Sequence, residues 1–455
     1  MTEQGSALVD PLISSPAMQA VFSDRARVQR MLDFAVALVR AQAAIGMVPT
    51  LAIDPVANAA RAEHFDFALL SKAALASGNM AEPLMQALAA HVAKGDSKAA
   101  GYVNWGASNQ DILDTALALD LKAAIEVLIG DLGRAIDSFM TLAGRHRRTL
   151  TPARVRLQHG LPIPFGLKLA GYAAALARSR DRLRRLRREG LVLQLGGSVG
   201  TLAALKDRGI EIADRLAALL DLAAPELPWL THRDRLAEVA AAFGILAATC
   251  GKIACDLSLL MQTEVSEALC KVKPDKGSRI LSERDPKEAS VALAAATMAP
   301  HLVATILAAS VQEHEGALGG WEAERLAFPP LALATSGATH SIAEMAERLE
   351  IDAERARSNL EHTRGVIMAE AMSTALAAKT SKEEARRIVE EAVAKAVSTK
   401  RELQDVLIED HRVSTHFSIG EIAKLLEPMA SQGVAHTLFD RFVGLQGRAA
   451  KRSNP

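Results

Sequence analysis

Five short islands gather the residues best suited to chemistry in this chain: Tyr102–Asp111, Gln158–Gly160, Gly196–Gly200, Gly277–Arg279 and Glu313–Trp321. Their Asn, Ser, Gln, Asp, His and Arg side chains donate and accept hydrogen bonds, and their glycines let backbone approach a ligand. A helical scaffold does not need such islands for stability, so they read as parts of a polar pocket assembled from distant stretches. His159 follows Gln158 in Gln-His-Gly-Leu-Pro-Ile-Pro, read as a Gly/Pro-rich turn before a long helix. Its near-neutral reference pKa suits an imidazole to general acid or base work. A lone histidine in a turn is also often structural. Lys271–Pro286 holds Gly277, Ser278, Arg279, Arg284 and Asp285 between two apolar stretches. A loop of Gly, Ser and cations could close over an anionic substrate, or be an ordinary connection.

Other chemistries fit less well. Gly196-Gly-Ser198-Val-Gly200 has the spacing of a nucleophile elbow, but the chain lacks the alternating strands of a hydrolase sheet. These glycines are read instead as a tight turn whose free N–H groups line a pocket. His314 has no second histidine four residues away, and the twelve histidines are scattered, so neither a metal site nor a zincin helix is expected. Cys250, Cys255 and Cys270 share one helical stretch without C-x-x-C spacing. They are expected to be reduced, buried thiols of a cytoplasmic protein. The N-terminus shows no signal-peptide pattern.

The elements that position these islands are expected to be helices. Hydrophobic residues make up 49% and aromatics 4% of the 455 residues, which favours closely packed Ala/Leu helices over sheet. Lys+Arg and Asp+Glu balance at 53 each, and nothing in that balance calls for nucleic acid. The basic run Arg178–Arg188 is read as a solvated helix face or subunit contact, with anion or nucleic-acid binding as the alternative. Ser15-Pro16 marks a helix start. Long helical patterns cover 108–148, 164–189 and 235–270, and another from Pro286 to Glu315 is expected to bend or break at Pro300. Val291–Val311 lacks charge and is long enough to span a bilayer, but is read as a buried core helix of an oligomer rather than a membrane segment. Ser381–Glu384 and Ser418–Glu421 have capping-box spacing. Only Leu191–Leu195 hints at a strand. The expected fold is all-α, with an N-terminal helical domain (1–107), a central long-helix bundle (108–345) and a C-terminal helical domain (346–455).

Together the islands resemble the fumarase/aspartase superfamily, and within it the cycloisomerase branch that acts on 3-carboxy-cis,cis-muconate. The likeness runs through Asp10-Pro-Leu, Phe22–Val28, Trp105-Gly-Ala-Ser-Asn-Gln-Asp111, Leu157-Gln-His-Gly-Leu-Pro162, Gly196–Leu205, Arg233-Asp-Arg235 and Thr363–Glu370. Gln312–His314 with Leu318-Gly-Gly-Trp321 points to the cycloisomerase branch. The resemblance implies a homotetramer whose four subunits each give five long helices to a twenty-helix core, with active sites shared among subunits. It implies lactonisation of a small polycarboxylate in protocatechuate catabolism, with no metal and no organic cofactor. It makes Ser278 and His159 the catalytic candidates and Ser108, Asn109 and Gln158 substrate contacts. Asn104 stands where the superfamily usually has His, and is taken as a substrate contact. Arg279 and Arg284 are added as cations of the loop. That loop reads Gly277-Ser-Arg-Ile-Leu-Ser-Glu-Arg-Asp-Pro286 against the usual G-S-S-x-M-P-x-K-x-N. Two alternatives stay open: a superfamily lyase that cleaves a succinyl C–N bond to release fumarate, and a catalytically weakened homologue that keeps only the helical assembly.

Overall fold

The computed structural model describes residues 9–271 and 287–452. Side-chain caps start its early helices. Ser15 accepts the N–H of Met18 at 3.2 Å ahead of the short helix Pro16–Val21, as expected. Ser23 accepts from Ala26 and opens α1 (Asp24–Ala44). Five long helices then dominate the chain: α2 (Asn109–Arg145), α3 (Phe165–Glu189), α4 (Asp234–Met261), α5 (Lys287–Ala309) and α6 (Gly320–Arg348). The mainly helical expectation therefore holds. Among the described residues, four short strands accompany them: β1 (Leu150–Val155), β2 (Gln158–Pro164), β3 (Ala268–Cys270) and β4 (Leu349–Ile351). A shorter helix, α7 (Ala353–Glu361), follows β4.

The chain divides into two compact units. The first comprises Met1–Gly133, Ala177–Ala254 and Lys287–Ala343; the second comprises Arg134–Leu176, Cys255–Pro286 and Glu344–Pro455. In the first unit, Met31, Leu32, Phe34 and Leu38 of α1 are buried with Val56, Leu84 and Leu88. α4 lies close against α5 because Gly251 has no side chain: a Cβ there would stand 2.3 Å from the Ala296 methyl. The basic face of α3 is met by acids, Arg185 by Glu238 and Arg187 by Glu126. In the second unit, Met368, Met372, Leu376, Ile388, Leu403 and Leu407 form a separate core. Ser418 and Glu421 make the reciprocal capping box, and Ser381 accepts from the Glu384 N–H at 3.2 Å.

Several local expectations are corrected. Leu191–Leu195 is not a strand; its only β pairing among the described residues is a single bridge from Val192 to Ala223, and its apolar side chains serve the core. The supposed Gly/Pro-rich turn at Gln158–Pro164 is instead β2, paired antiparallel with β1. The turn lies just before it, where Arg156 (φ 52°) and Leu157 (φ 63°) close a two-residue hairpin. Two left-handed residues match the twist of the flanking strands, a geometry usually given to Asn-Gly, so composition concealed it. The helix read through Cys270 stops at Met261, and Ser266 (φ 52°) turns the chain into β3. Cys270 is therefore on a strand, and Cys255 is exposed rather than buried. α5 continues through Pro300 without interruption. Within the single chain α5 is only partly covered: Leu293, Met298 and Leu307 are exposed. α4 and α5 are both long and apolar enough to cross a membrane by length and composition, and α4 is mostly buried in the protein.

Candidate active site

In the second unit, the β1–β2 hairpin presents His159. Arg154 is its partner across the pair, so both side chains leave the same face. The register slips between Pro152 and Arg154, where Gly160 and Leu161 oppose the single residue Ala153. Such a bulge re-aims the neighbouring side chains. Gly160 fits because its Cβ position is already 3.3 Å from a Val155 methyl. His159 is half-buried, and its ring nitrogens have no hydrogen-bond partner among the described residues. Burial and then the Arg154 charge hold its pKa below the ordinary histidine value, while Glu267 opposes this and His362 adds to it. Both influences favour the neutral imidazole, whose ring nitrogens can take a proton. Gln158, beside it, is exposed at the start of β2.

Under the hairpin lies Glu267, whose side chain is fully buried. Its carboxylate accepts from Thr151 Oγ1 (2.7 Å), Arg154 Nη1 (3.0 Å), Arg154 Nη2 (2.5 Å) and Asn359 Nδ2 (2.8 Å). Sequence reasoning did not single out Glu267. Its only signal is an acid directly before the apolar run Ala268-Leu-Cys270.

In the first unit, the island 102–111 forms a turn that feeds α2. Asn104 is left-handed (φ 57°), and its Oδ1 is buried without a hydrogen-bond partner among the described residues. That acceptor can take a donor from a bound molecule. Ser108 caps α2: its Oγ accepts the Asp111 N–H at 3.1 Å, and Asp111 Oδ2 accepts the Ser108 N–H at 2.8 Å. The Ser108 hydroxyl proton is not used in that bond. Asn109 opens α2, and its half-buried amide has no partner among the described residues.

Asp111, missed as a functional position, organises this island. Its fully buried carboxylate also accepts from Gln194 Nε2 (3.0 Å), Gly196 N (2.9 Å) and Gly197 N (2.9 Å). The amides of Gly196 and Gly197 are therefore committed to Asp111 and not free for a ligand, which corrects the sequence reading. Burial raises the Asp111 pKa despite these donors. Replacing Asp111 with Ala would leave several buried donors unsatisfied. The expected loss is about 3 kcal/mol of stability, read from the urea midpoint at constant m.

Arg233 underlies the same region. It is 2% exposed, stacks over the Trp229 ring at 4.7 Å, and grips Asp114 with two bonds of 2.9 and 2.8 Å. Its Nε donates to Glu324 at 3.0 Å, a second bond joins Nη2 to Glu324, and Nη1 donates to Leu230 O at 2.8 Å. Every N–H of the guanidinium is used, which marks a structural keystone rather than a substrate cation.

Ser278, Arg279 and Arg284 lie outside the described residues. Among the described residues, no group of three or more His, Cys, Asp or Glu side chains could hold a metal ion.

Comparison with known proteins follows the whole chain. Residues 13–283 match a family described as lyase, and 365–442 match one described as adenylosuccinate lyase C-terminus. The chain is 52% identical over 440 residues to the 3-carboxy-cis,cis-muconate cycloisomerase of Bradyrhizobium diazoefficiens, covering 96% of this chain and 98% of that protein. It is 44% identical to the protein of the same name in Pseudomonas aeruginosa, covering 95% of each. The crystal structure of 3-carboxy-cis,cis-muconate lactonizing enzyme from Pseudomonas putida superposes with a TM-score of 0.92 at 41% identity, covering 97% of this chain and 99% of that one.

Proposed function

Because this chain belongs to the fumarase/aspartase superfamily of lyases, we propose that it lactonises 3-carboxy-cis,cis-muconate to 4-carboxymuconolactone in protocatechuate breakdown. The observation that carries this reading is the 52% identity to a protein of that name over 96% of the chain. It favours ring closure over the alternative of C–N cleavage with release of fumarate.

In this reaction a substrate carboxylate oxygen adds to an activated carbon–carbon double bond, and a new C–O bond closes the lactone. The π electrons move to the adjacent carbon and into a neighbouring carboxylate, giving an aci-carboxylate, and a proton then goes to that carbon. Fixed hydrogen-bond donors and cations stabilise the developing charge. Ser278 is assigned to proton transfer. His159 takes a proton from solvent and relays it, so that Ser278 delivers one to that carbon. Asn104 contacts the substrate, and Ser108, Asn109 and Gln158 donate to its oxygens, with Arg279 and Arg284 supplying positive charge.

A homotetramer accompanies this reading. Exposed Leu293, Met298 and Leu307 of α5, with Ile245 of α4 and Leu326 of α6, are what a helical core between subunits would bury. A stable monomer on size measurement would remove it. The thiol complement agrees with a cytoplasmic protein.

The test is an ultraviolet assay of the purified protein with 3-carboxy-cis,cis-muconate, alongside adenylosuccinate and argininosuccinate. Loss of the muconate absorbance alone is expected. Turnover of either succinate, or of none of the three by a folded protein, would replace this reading.

A further inference from the structure

We propose that Glu267 is a positioning residue for His159: its buried carboxylate gathers Thr151, Arg154 and Asn359, and so anchors β1 and sets the charge facing the imidazole. The role rests on the reading of His159 as a proton-handling group in lactonisation.

The geometry leads there in three steps. Thr151 and Arg154 are three residues apart on β1, and on a regular strand they would face opposite sides. Both nevertheless bond the Glu267 carboxylate, while the extra residue of the bulge lies on β2, opposite Ala153. The carboxylate therefore ties β1 down at two points on either side of Ala153. Glu267 is itself fixed at both ends of its backbone, its N–H donating to Leu260 O and its carbonyl accepting from Asp352 N, each at 3.0 Å. Asn359 of α7, which packs on β1, supplies the last donor from the far side.

The second consequence is electrostatic. Arg154 stands directly across from His159 and would, alone, oppose a proton on the ring. Glu267 neutralises that cation at 2.5 Å. Among the described residues, the charged or titratable groups acting on His159 are Arg154, Glu267 and His362. The turns Val366–Met368 and Pro428–Ser431, which pack against β2, bring no charged side chain. A buried pair that merely filled space could be replaced by apolar groups at little cost; this one has opposite effects on its neighbour.

The experiment uses the full-length protein carrying isotopically labelled histidine, with the His159 signal assigned by its loss in His159→Gln. Its titration is followed by nuclear magnetic resonance in the parent protein, Glu267→Gln, Arg154→Gln and the double variant, with kcat and KM for 3-carboxy-cis,cis-muconate measured against pH. Glu267→Gln should move the titration to lower pH, because Arg154 is left unopposed. Arg154→Gln should move it to higher pH, and the double variant should return towards the parent. The kcat of Glu267→Gln should fall roughly tenfold with KM changed less. If Glu267→Gln does not fold, the upward shift in Arg154→Gln alone decides the matter. Unshifted titrations in folded single variants would overturn the proposal, even with normal turnover. Shifts of the stated signs in a protein that leaves muconate untouched would keep the positioning role and overturn lactonisation.

Discussion

Replacing His159 with Ala is expected to lower kcat/KM by roughly a hundred- to ten-thousandfold, the usual worth of a positioned general acid or base. The fold should survive, because His159 is half-buried on a short hairpin and none of its ring hydrogen bonds to described residues would be lost. A circular dichroism melt close to the parent's, beside the lost activity, separates chemistry from unfolding. The pH profile carries the second half of the prediction. Burial and Arg154 place the His159 pKa below the ordinary value of 6.5. If the neutral ring accepts the proton, activity is fully present above that lowered pKa and is lost as pH falls through it. The acid limb should therefore lie below 6.5 and vanish in the Ala variant. A limb that rises as pH falls would make the protonated ring the active form. Unchanged turnover in His159→Ala would remove His159 from the chemistry.

Arg233→Met should be the most destabilising single change, costing about 3–5 kcal/mol. It leaves Asp114 and Glu324 buried beside each other without the cation that both grip. Met restores the aliphatic bulk but none of the five N–H donors, and it forfeits the contact with Trp229. The effect has a definite pH dependence. Burial already raises the Glu324 pKa above the ordinary glutamate value, with Arg233 opposing the rise. Without Arg233 the folded-state pKa rises further above its unfolded value, and the penalty is present in full when the carboxylates must stay charged. It shrinks as pH falls and Glu324 protonates in the folded state. The urea midpoint of Arg233→Met should thus lie closer to the parent's at pH 5 than at pH 8. A loss that is independent of pH would mean that packing, not uncompensated charge, is what Arg233 supplies. Arg233→Lys should recover only part of the stability, because an ammonium keeps the charge but cannot reproduce the planar fork.

Much of the architecture is legible from local chemistry. The Ser15-Pro16 start, the Ser418 capping box and the long Ala/Leu periodicities of α2 and α3 each depend on neighbours within a few residues, and they appear where the spacing places them. The islands were legible as well, since glycines and amide side chains stand out against an apolar helical background. Their roles were less so. Gly196 and Gly197 looked like free donors, yet an aspartate 85 and 86 residues away in the chain takes both N–H groups.

The composition and spacing of this chain determine that it is helical and where its main helices start, because these follow from short-range patterns, while the likeness of its separate islands carries the family. Tertiary structure alone decides that Gln158–Pro164 is a strand, that Arg156 and Leu157 adopt left-handed backbone, and that Glu267 meets Arg154 across 113 positions of chain. It also decides that the His159 pKa lies below the ordinary histidine value. A pKa depends on burial and on the charges within a few ångströms, and those distances exist only once the hairpin has closed over Glu267.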